Sequence, residues 1–135
     1  MLHPNITLYH ANWSFCSQMV RVALLEKGFS FDKRHIRLCD QYPEGENIDK
    51  DYLAINPLGT VPAIQIDGNT ICGSEEIIYQ LDKIDSNSAY SLYPDNVNED
   101  EIRKWASYTT ITDGVEFAST LGTICLLYTS DAADE

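Results

Sequence analysis

Residues 12–28 read NWSFCSQMVRVALLEKG, and this stretch decides the fold prediction. Its apolar residues recur every three or four positions and Gly28 follows as a stop signal, so the pattern predicts an amphipathic helix. The run ITLYH before it, residues 6–10, is rich in β-forming residues and predicts a strand. A hydroxyl, Ser14, and a thiol, Cys16, therefore lie at the start of a helix that closely follows a strand.

The next segment of the chain predicts a second strand, a short helix and a hairpin. Residues 29–38 alternate apolar with polar positions, which indicates a half-exposed strand, and residues 48–55 indicate a short helix. The runs 61–66 and 70–72 flank the turn residues 67–69, a typical hairpin pattern.

A further helix is predicted to begin at Ser74, whose hydroxyl is a good cap for the first turn. Glu75 and Glu76 follow in that turn, where negative charge is favourable against the positive helix end. The buried stripe is predicted at Ile77, Ile78, Leu81 and Ile84. The order over residues 6–84 is thus β-α-β-(α)-β-β-α, an α/β fold.

The region after residue 84 divides into three parts. Residues 85–98 are rich in Ser, Asn and Pro and read as a linker. Residues 99–124 begin a new helix, on which one face carries Ile102, Trp105, Ala106 and Thr109 with nothing predicted to cover it. Residues 125–135, CLLYTSDAADE, match the translated read-through of a sequencing-library adaptor, and we exclude them from fold reasoning as an adaptor-derived tail; a genuine acidic tail is the alternative.

Charge and hydropathy exclude several classes of function. The 135 residues carry a net charge of −12, from 21 acidic and 9 basic residues. Nucleic acid and anionic membranes require clustered Lys and Arg, which are scattered here, so we expect neither as a partner. No apolar run approaches the roughly 20 residues of a membrane span and the N-terminus lacks a signal core, so we expect a cytoplasmic protein.

The cysteines before the tail do not form a metal or disulfide framework. Cys16, Cys39 and Cys72 are odd in number and include no C-x-x-C pair, so we expect reduced thiols and no metal. Cys39 and Cys72 are interpreted as small apolar fillers.

Several motifs in a fixed order carry a resemblance to a known family: LYH at 8–10, SFCSQMVRVALLEKG at 14–28, NPLGTVPAI at 56–64, GSEEIIYQLD at 73–82 and SLYP at 91–94. Together they resemble the N-terminal thioredoxin-like domain of cytosolic glutathione transferases. The S-x-C-S-x-x-V-R pattern is similar to zeta members. The S-Q-x-V-R-x-x-x-x-E-K-G pattern also resembles the ganglioside-induced differentiation-associated and tetrachlorohydroquinone-dehalogenase-like branches, so the subfamily stays open.

The resemblance implies a domain organisation. Residues 1–84 form a thioredoxin-like, glutathione-binding domain, residues 85–98 a linker, and residues 99–124 the truncated start of an all-α domain. Because such enzymes draw much of their electrophile pocket from the helical domain, we expect the chain as given to be weakly active or inactive. The full-length protein is expected to be a homodimer.

The resemblance also implies a thiolate-stabilising group at the start of the first helix. Ser14 stands where the family places the hydroxyl that donates to the glutathione sulfur. From the residues alone, a plain helix cap is the better interpretation of Ser14, and only the surrounding motifs favour the role toward sulfur; Ser17 competes for the cap. Tyr9 is a weaker alternative, because other transferase classes use a tyrosine near the end of this strand.

Cys16 supports a different chemistry. A thiol at a helix start has a lowered pKa and can form a mixed disulfide with glutathione. The register of the motif nevertheless puts Ser14, not Cys16, where cysteine-dependent members carry their catalytic thiol.

The resemblance assigns the remaining glutathione contacts to two places. A cis Val61-Pro62 bond is expected to present the Val61 backbone to the peptide, and Thr60 stands where a basic residue often binds the glycyl carboxylate. Ser74 would bind the γ-glutamyl carboxylate at the helix start. The acidic residue usual before this serine is Gly73 here, which leaves Glu75 to contact the γ-glutamyl amine.

These assignments predict a glutathione transferase, with glutathione as co-substrate, that conjugates small electrophiles in detoxification. Two alternatives stay open. One is a glutathione-dependent thiol transferase, isomerase or reductive dehalogenase that uses Cys16. The other is a non-catalytic transferase-like binding module, which the departures at Gly73 and Thr60 favour.

Overall fold

The computed structural model describes residues 4–39, 42–84, 91–93 and 96–109, with side chains to residue 106 in the last segment. A short 3₁₀ turn, Glu46–Ile48, precedes the second helix. The strands are β1 Ile6–His10, β2 Asp32–His35, β3 Ala63–Ile66 and β4 Asn69–Cys72. The helices are α1 Phe15–Glu26, α2 Lys50–Leu53, α3 Ser74–Lys83 and α4 Glu99–Thr109.

The four strands form one mixed sheet in the order β2-β1-β3-β4. The pair β1 and β2 is parallel, with α1 as its crossover, whereas β3 runs antiparallel to both β1 and β4. This is the thioredoxin-like arrangement that the sequence predicted. Helix α4 confirms a helix from residue 99, while the rest of the predicted 99–124 segment lies outside the described residues.

Two apolar clusters lie on opposite faces of the sheet. The larger is built from strand residues such as Leu8 and Ile64 together with Leu24 of α1 and Leu81 of α3, all four fully buried. The smaller joins Tyr9, Ile36, Tyr52 and Ala63 on the face that carries α2. Burial of one such large apolar side chain contributes about 1.5–3 kcal/mol, so the two clusters supply the main driving force for folding.

Two predicted strands are shorter in the structure than in the sequence analysis. The predicted strand 29–38 is reduced to β2, all four residues of which are exposed, because β2 is an edge strand with a single neighbour. The predicted strand 61–66 begins at Ala63, since Pro62 has no N–H for the ladder. The hairpin turn is confirmed, with Asp67 (φ 50°) and Gly68 (φ 85°) at its centre.

The predicted uncovered face of α4 agrees with the exposure of Trp105, whose accessible fraction is 64%. Ile102, on the same face, is half-buried. Within the described residues, none of the helices has the length and apolar character needed to cross a lipid bilayer.

Candidate functional site

Three segments of the chain meet at the edge of the sheet formed by the ends of its strands, where β1 and β4 end and β3 begins. The register pairs Tyr9 with Ala63 and Ala63 with Cys72. The loop that leaves β1, the residues that enter β3 and the residues that leave β4 therefore lie side by side. This edge brings together Ser14, the 60–62 segment and Ser74, the separate places at which the sequence predicted glutathione contacts.

Ser14 is the N-cap of α1, as predicted. Its backbone is extended (φ −70°, ψ 118°), and its Oγ accepts a hydrogen bond from the Ser17 N–H at 3.1 Å. A hydroxyl has one hydrogen to donate besides its two acceptor lone pairs, so capping leaves the Ser14 hydrogen available to a ligand. The first turn of α1 carries no acidic residue to neutralise the positive helix end. The half-buried Ser14 can therefore cap the helix and stabilise an anion at once.

Ser17 does not compete for the cap. It is fully buried within α1, and its Oγ accepts a hydrogen bond from the Ala11 N–H at 3.3 Å. The Ser14 N–H in turn donates to the Ala11 carbonyl at 3.2 Å. The predicted competitor thus fixes the loop between β1 and α1, because the cap position needs extended backbone and Ser17 is already helical.

Cys16 lies in the first turn of α1 and only 9% of it is accessible. The structure therefore places this thiol largely inside the protein, next to the half-buried Ser14. Cys39, interpreted as an apolar filler, is instead exposed, and its Sγ accepts a hydrogen bond from Asn47 at 3.6 Å. Cys72 packs against the smaller cluster, where burial raises the pKa of its thiol.

The Val61-Pro62 peptide is cis, as expected. The residue before it is held firmly: the Thr60 carbonyl accepts from Tyr52 Oη at 2.6 Å and from Asn56 Nδ2 at 2.7 Å, and Thr60 Oγ1 accepts from the same amide at 3.0 Å. The Thr60 hydroxyl therefore keeps its hydrogen for another acceptor.

Tyr52 and Asn56 are functional positions that the sequence analysis missed. Burial is the main reason that the pKa of Tyr52 rises to about 12, so its hydroxyl stays a donor at any ordinary pH. Asn56 is 1% exposed and stands in the quoted motif NPLGTVPAI, which was the available signal. Tyr52 carried no signal beyond its apolar character.

Ser74 is the first residue of α3 rather than its cap, which corrects the prediction. Gly73 occupies the cap position with φ 87°, a conformation that glycine adopts readily. Because glycine has no side chain, this cap position provides no side-chain hydrogen bond to the helix. Ser74 is 4% exposed, and no hydrogen bond joins its hydroxyl to another described residue. A buried hydroxyl without a partner costs about 1–3 kcal/mol, so a ligand oxygen at this helix start would relieve that cost.

Glu75 is engaged by α4. Its Oε1 accepts from Arg103 Nε at 2.8 Å, and this hydrogen bond is the main cause of the raised pKa of Arg103. The structure thus places Glu75 beside Ser74 but with one of its oxygens already bonded.

Two aromatic residues, Tyr9 and His10, end strand β1 at this edge. Tyr9 donates its hydroxyl to Gln65 Oε1 at 2.9 Å and packs in the smaller cluster on the α2 face. Buried His10 accepts at Nδ1 from Arg21 at 3.0 Å. Burial and then the charge of Arg21 lower the pKa of His10 to about 4, so its ring is neutral at pH 7. Across the described residues, His, Cys, Asp and Glu side chains form no group that could hold a metal ion.

Comparison with known proteins identifies relatives of this chain. Residues 13–84 match the family "Glutathione S-transferase, N-terminal domain". The chain is 35% identical over 77 residues to probable maleylacetoacetate isomerase 1 of Drosophila melanogaster, covering 56% of this chain and 31% of that protein. It is 37% identical over 79 residues to glutathione S-transferase Z1 of Arabidopsis thaliana, covering 58% and 34% respectively.

Solved structures agree with this match. A β-etherase from Sphingobium superposes with a TM-score of 0.66 at 26% identity, covering 78% of this chain and 42% of that one. A glutathione-bound theta class transferase from Xanthomonas axonopodis pv. citri gives 0.65 at 25% identity, covering 81% and 50%. The match spans about a third of the length of the Drosophila isomerase and of the Arabidopsis transferase. With more than half of its residues matched, the chain belongs to the glutathione S-transferase family, of which residues 13–84 are N-terminal domain.

Proposed function

We propose that this protein is a glutathione transferase in which Ser14 stabilises the glutathione thiolate for attack on small electrophiles. The observation that carries the proposal is the Ser14 hydroxyl itself. It is fixed at the positive end of α1 by the Ser17 N–H and retains its hydrogen for an acceptor at this edge of the sheet.

The energies of these two groups match the task. A thiol with a pKa near ~8.5 needs about 1.4–2.7 kcal/mol of preference for its anion to lose one to two pKa units. A helix N-terminus contributes about 0.3–2 kcal/mol, and a hydrogen bond to a charged acceptor about 1.5–3 kcal/mol. Hydroxyl and helix together therefore suffice without a further base.

The rest of the tripeptide would lie along the same edge. The Val61 backbone would pair with the cysteinyl unit in the manner of an added strand. The Thr60 hydroxyl would donate to the glycyl carboxylate, Ser74 to the γ-glutamyl carboxylate, and Glu75 would receive the γ-glutamyl amine. Support comes from the fixed Thr60 hydroxyl and from the buried Ser74 hydroxyl, which has no partner in the part of the chain that the structure describes.

A second candidate is glutathione-dependent isomerisation or reductive dehalogenation with participation of Cys16. The names of the relatives include such activities without favouring them over conjugation: besides the isomerase above, a tetrachloro-p-hydroquinone reductive dehalogenase of Sphingobium chlorophenolicum is 26% identical over 81 residues, covering 60% of this chain and 32% of that protein. The burial of Cys16 argues against a thiol that attacks large substrates.

A cytoplasmic homodimer is part of the proposal for the whole protein.

The 135-residue chain can test the thiolate claim by binding alone. Glutathione is titrated into the chain at a series of pH values, and the thiolate is followed by its ultraviolet absorbance. We expect the bound thiol to ionise one to two pH units below free glutathione, and Ser14→Ala to remove at least one unit of that shift. Cys16→Ser is the matched control two residues away and should leave the shift unchanged.

The outcomes separate the candidates. An unshifted thiol in the wild-type complex overturns the role of Ser14. A shift that survives Ser14→Ala but is lost in Cys16→Ser favours the second candidate. The absence of any glutathione binding favours a non-catalytic module of the same fold.

A further inference from the structure

Arg103 of α4 forms two ion pairs with the first turn of α3, beside Ser74. Its Nε donates to Glu75 Oε1 at 2.8 Å and its second terminal nitrogen to Glu76 Oε2 at 2.9 Å. The guanidinium carbon also lies 4.1 Å from the centre of the Tyr79 ring. Three groups of α3 therefore hold this side chain in one place.

The two carboxylates that Arg103 holds differ in how many of their oxygens already accept a hydrogen bond. Glu76 uses both oxygens, because Gln80 Nε2 donates to its Oε1 at 2.7 Å. Glu75 has no hydrogen bond from a described residue to its Oε2, and its side chain is 22% exposed. Glu75 therefore has one fixed, partly accessible anionic oxygen next to Ser74.

The γ-glutamyl end of glutathione carries an ammonium and a carboxylate. The Ser74 hydroxyl and the start of α3 suit the carboxylate, and the ammonium needs an anionic acceptor nearby. Gly73 has no side chain to provide one. Glu75 is the adjacent acid, and a glutamate that is already held loses less conformational entropy on binding than a mobile one.

We propose that Arg103 is a positioning residue for amine recognition: it fixes Glu75 so that its second oxygen receives the γ-glutamyl ammonium of glutathione. This inference rests on the proposed function, because it concerns the same ligand. It assigns to α4 a part in selecting ligands with a free α-amine.

The test compares two ligands on the 135-residue chain by calorimetry: glutathione and its deamino analogue, in which hydrogen replaces the α-amine. The wild-type chain should prefer glutathione. Arg103→Gln should reduce that preference roughly three- to tenfold while leaving affinity for the deamino analogue nearly unchanged. Glu75→Gln should reduce the preference at least as much.

The matched control is Lys83→Gln, which removes another ion pair between the same two helices, Lys83 with Glu99 at 3.0 Å, but lies at the opposite end of α3 from Ser74. It should preserve the preference. Equal loss of both ligands in Arg103→Gln, or tighter glutathione binding, overturns the inference. If Arg103→Gln does not fold, a preference that survives Glu75→Gln overturns it equally.

The same binding experiment distinguishes a failure of the proposed function from a failure of this inference. A wild-type chain that binds neither ligand removes both proposals. A wild-type chain that binds both ligands equally with an ionised thiol removes the role of Arg103 and leaves that of Ser14.

Discussion

Ser14, Ser17 and Ser74 lie at the starts of two helices, and each hydroxyl has a different environment. Ser14 caps α1 and keeps its hydrogen for a ligand, Ser17 is buried and holds the Ala11 N–H, and Ser74 is buried with no partner among the described residues. The same residue type near a helix start thus caps a helix, fixes a loop, or is buried without a partner among the described residues. The backbone position of each serine, not its chemistry, decides which.

His10 predicts how stability depends on pH. Its pKa falls from 6.5 to about 4 on folding, through burial first and then the charges of Arg21, His35 and Lys33. Between these values the unfolded chain binds a proton that the folded chain does not. This contribution to stability is therefore complete above pH 6.5 and is lost as the pH falls to about 4, by about 3 kcal/mol in all. Urea unfolding at pH 4–7 measures it.

The control for this prediction is His10→Gln, which cannot titrate and should flatten this part of the curve.

Burial opposes ionisation of Asp82, but hydrogen bonds from Leu92, Ser91 and Lys27 outweigh it and lower its pKa to about 2. The contribution of Asp82 is lost only as the pH falls below its unfolded pKa of 3.8, outside the His10 window. A wild-type curve that is flat between pH 6.5 and 4 contradicts the prediction.

At the scale of elements, a buried ion pair joins the end of α1 to the end of α3. Lys27 Nζ lies 2.9 Å from Asp82 Oδ1, with side chains 6% and 4% exposed. The same carboxylate accepts from the Leu92 N–H at 2.8 Å and from the Ser91 hydroxyl at 2.7 Å. Asp82 therefore anchors two helices and the chain that leaves them.

Asp82→Asn should lower the free energy of unfolding by about 3–5 kcal/mol, because it removes the carboxylate charge that pairs with the buried Lys27 ammonium. Urea denaturation measures the loss. The double variant Lys27→Met with Asp82→Leu removes both charges and should cost less than the single one. A loss under about 1 kcal/mol in Asp82→Asn would show that the pair is solvated in solution.

For the whole molecule, we expect substitutions in the larger cluster to affect stability and substitutions in the smaller one to affect the proposed glutathione binding as well. The larger cluster, between the sheet and the helices α1 and α3, has no part in the contacts that hold Thr60. The smaller cluster contains Tyr52, whose hydroxyl holds the Thr60 carbonyl. Substitutions on the two faces of the sheet should therefore have different consequences.

Leu24→Ala in the larger cluster should cost about 2–5 kcal/mol of unfolding free energy but leave the glutathione affinity of the folded chain unchanged. Tyr52→Phe should cost about 0.5–1.5 kcal/mol and weaken glutathione binding, since Thr60 loses one of its two restraints. Urea unfolding and calorimetric titration at a temperature where each variant is folded measure both effects. Leu25→Ala, on the 67% exposed neighbour, should change neither. Equal effects on binding from Leu24→Ala and Tyr52→Phe would refute the division.

Local sequence determined the order of elements, the start of α1 and the hairpin, because helix periodicity, capping hydroxyls and turn residues act between neighbours in the chain. It also identified Ser14 as a hydroxyl that can cap the start of α1, where the structure places it. The motifs indicated the family, and the comparisons confirmed it over residues 13–84.

The tertiary structure alone decided how these groups meet and what holds them. The register between β1, β3 and β4 brings the three segments of the candidate site to one edge, and the β1–β3 pairs join residues more than 50 positions apart. The same holds for Tyr52 on Thr60, for Arg103 on Glu75 and for the burial of Cys16 and Ser74. Burial and partner choice depend on packing between elements, which no local pattern in a single sequence encodes.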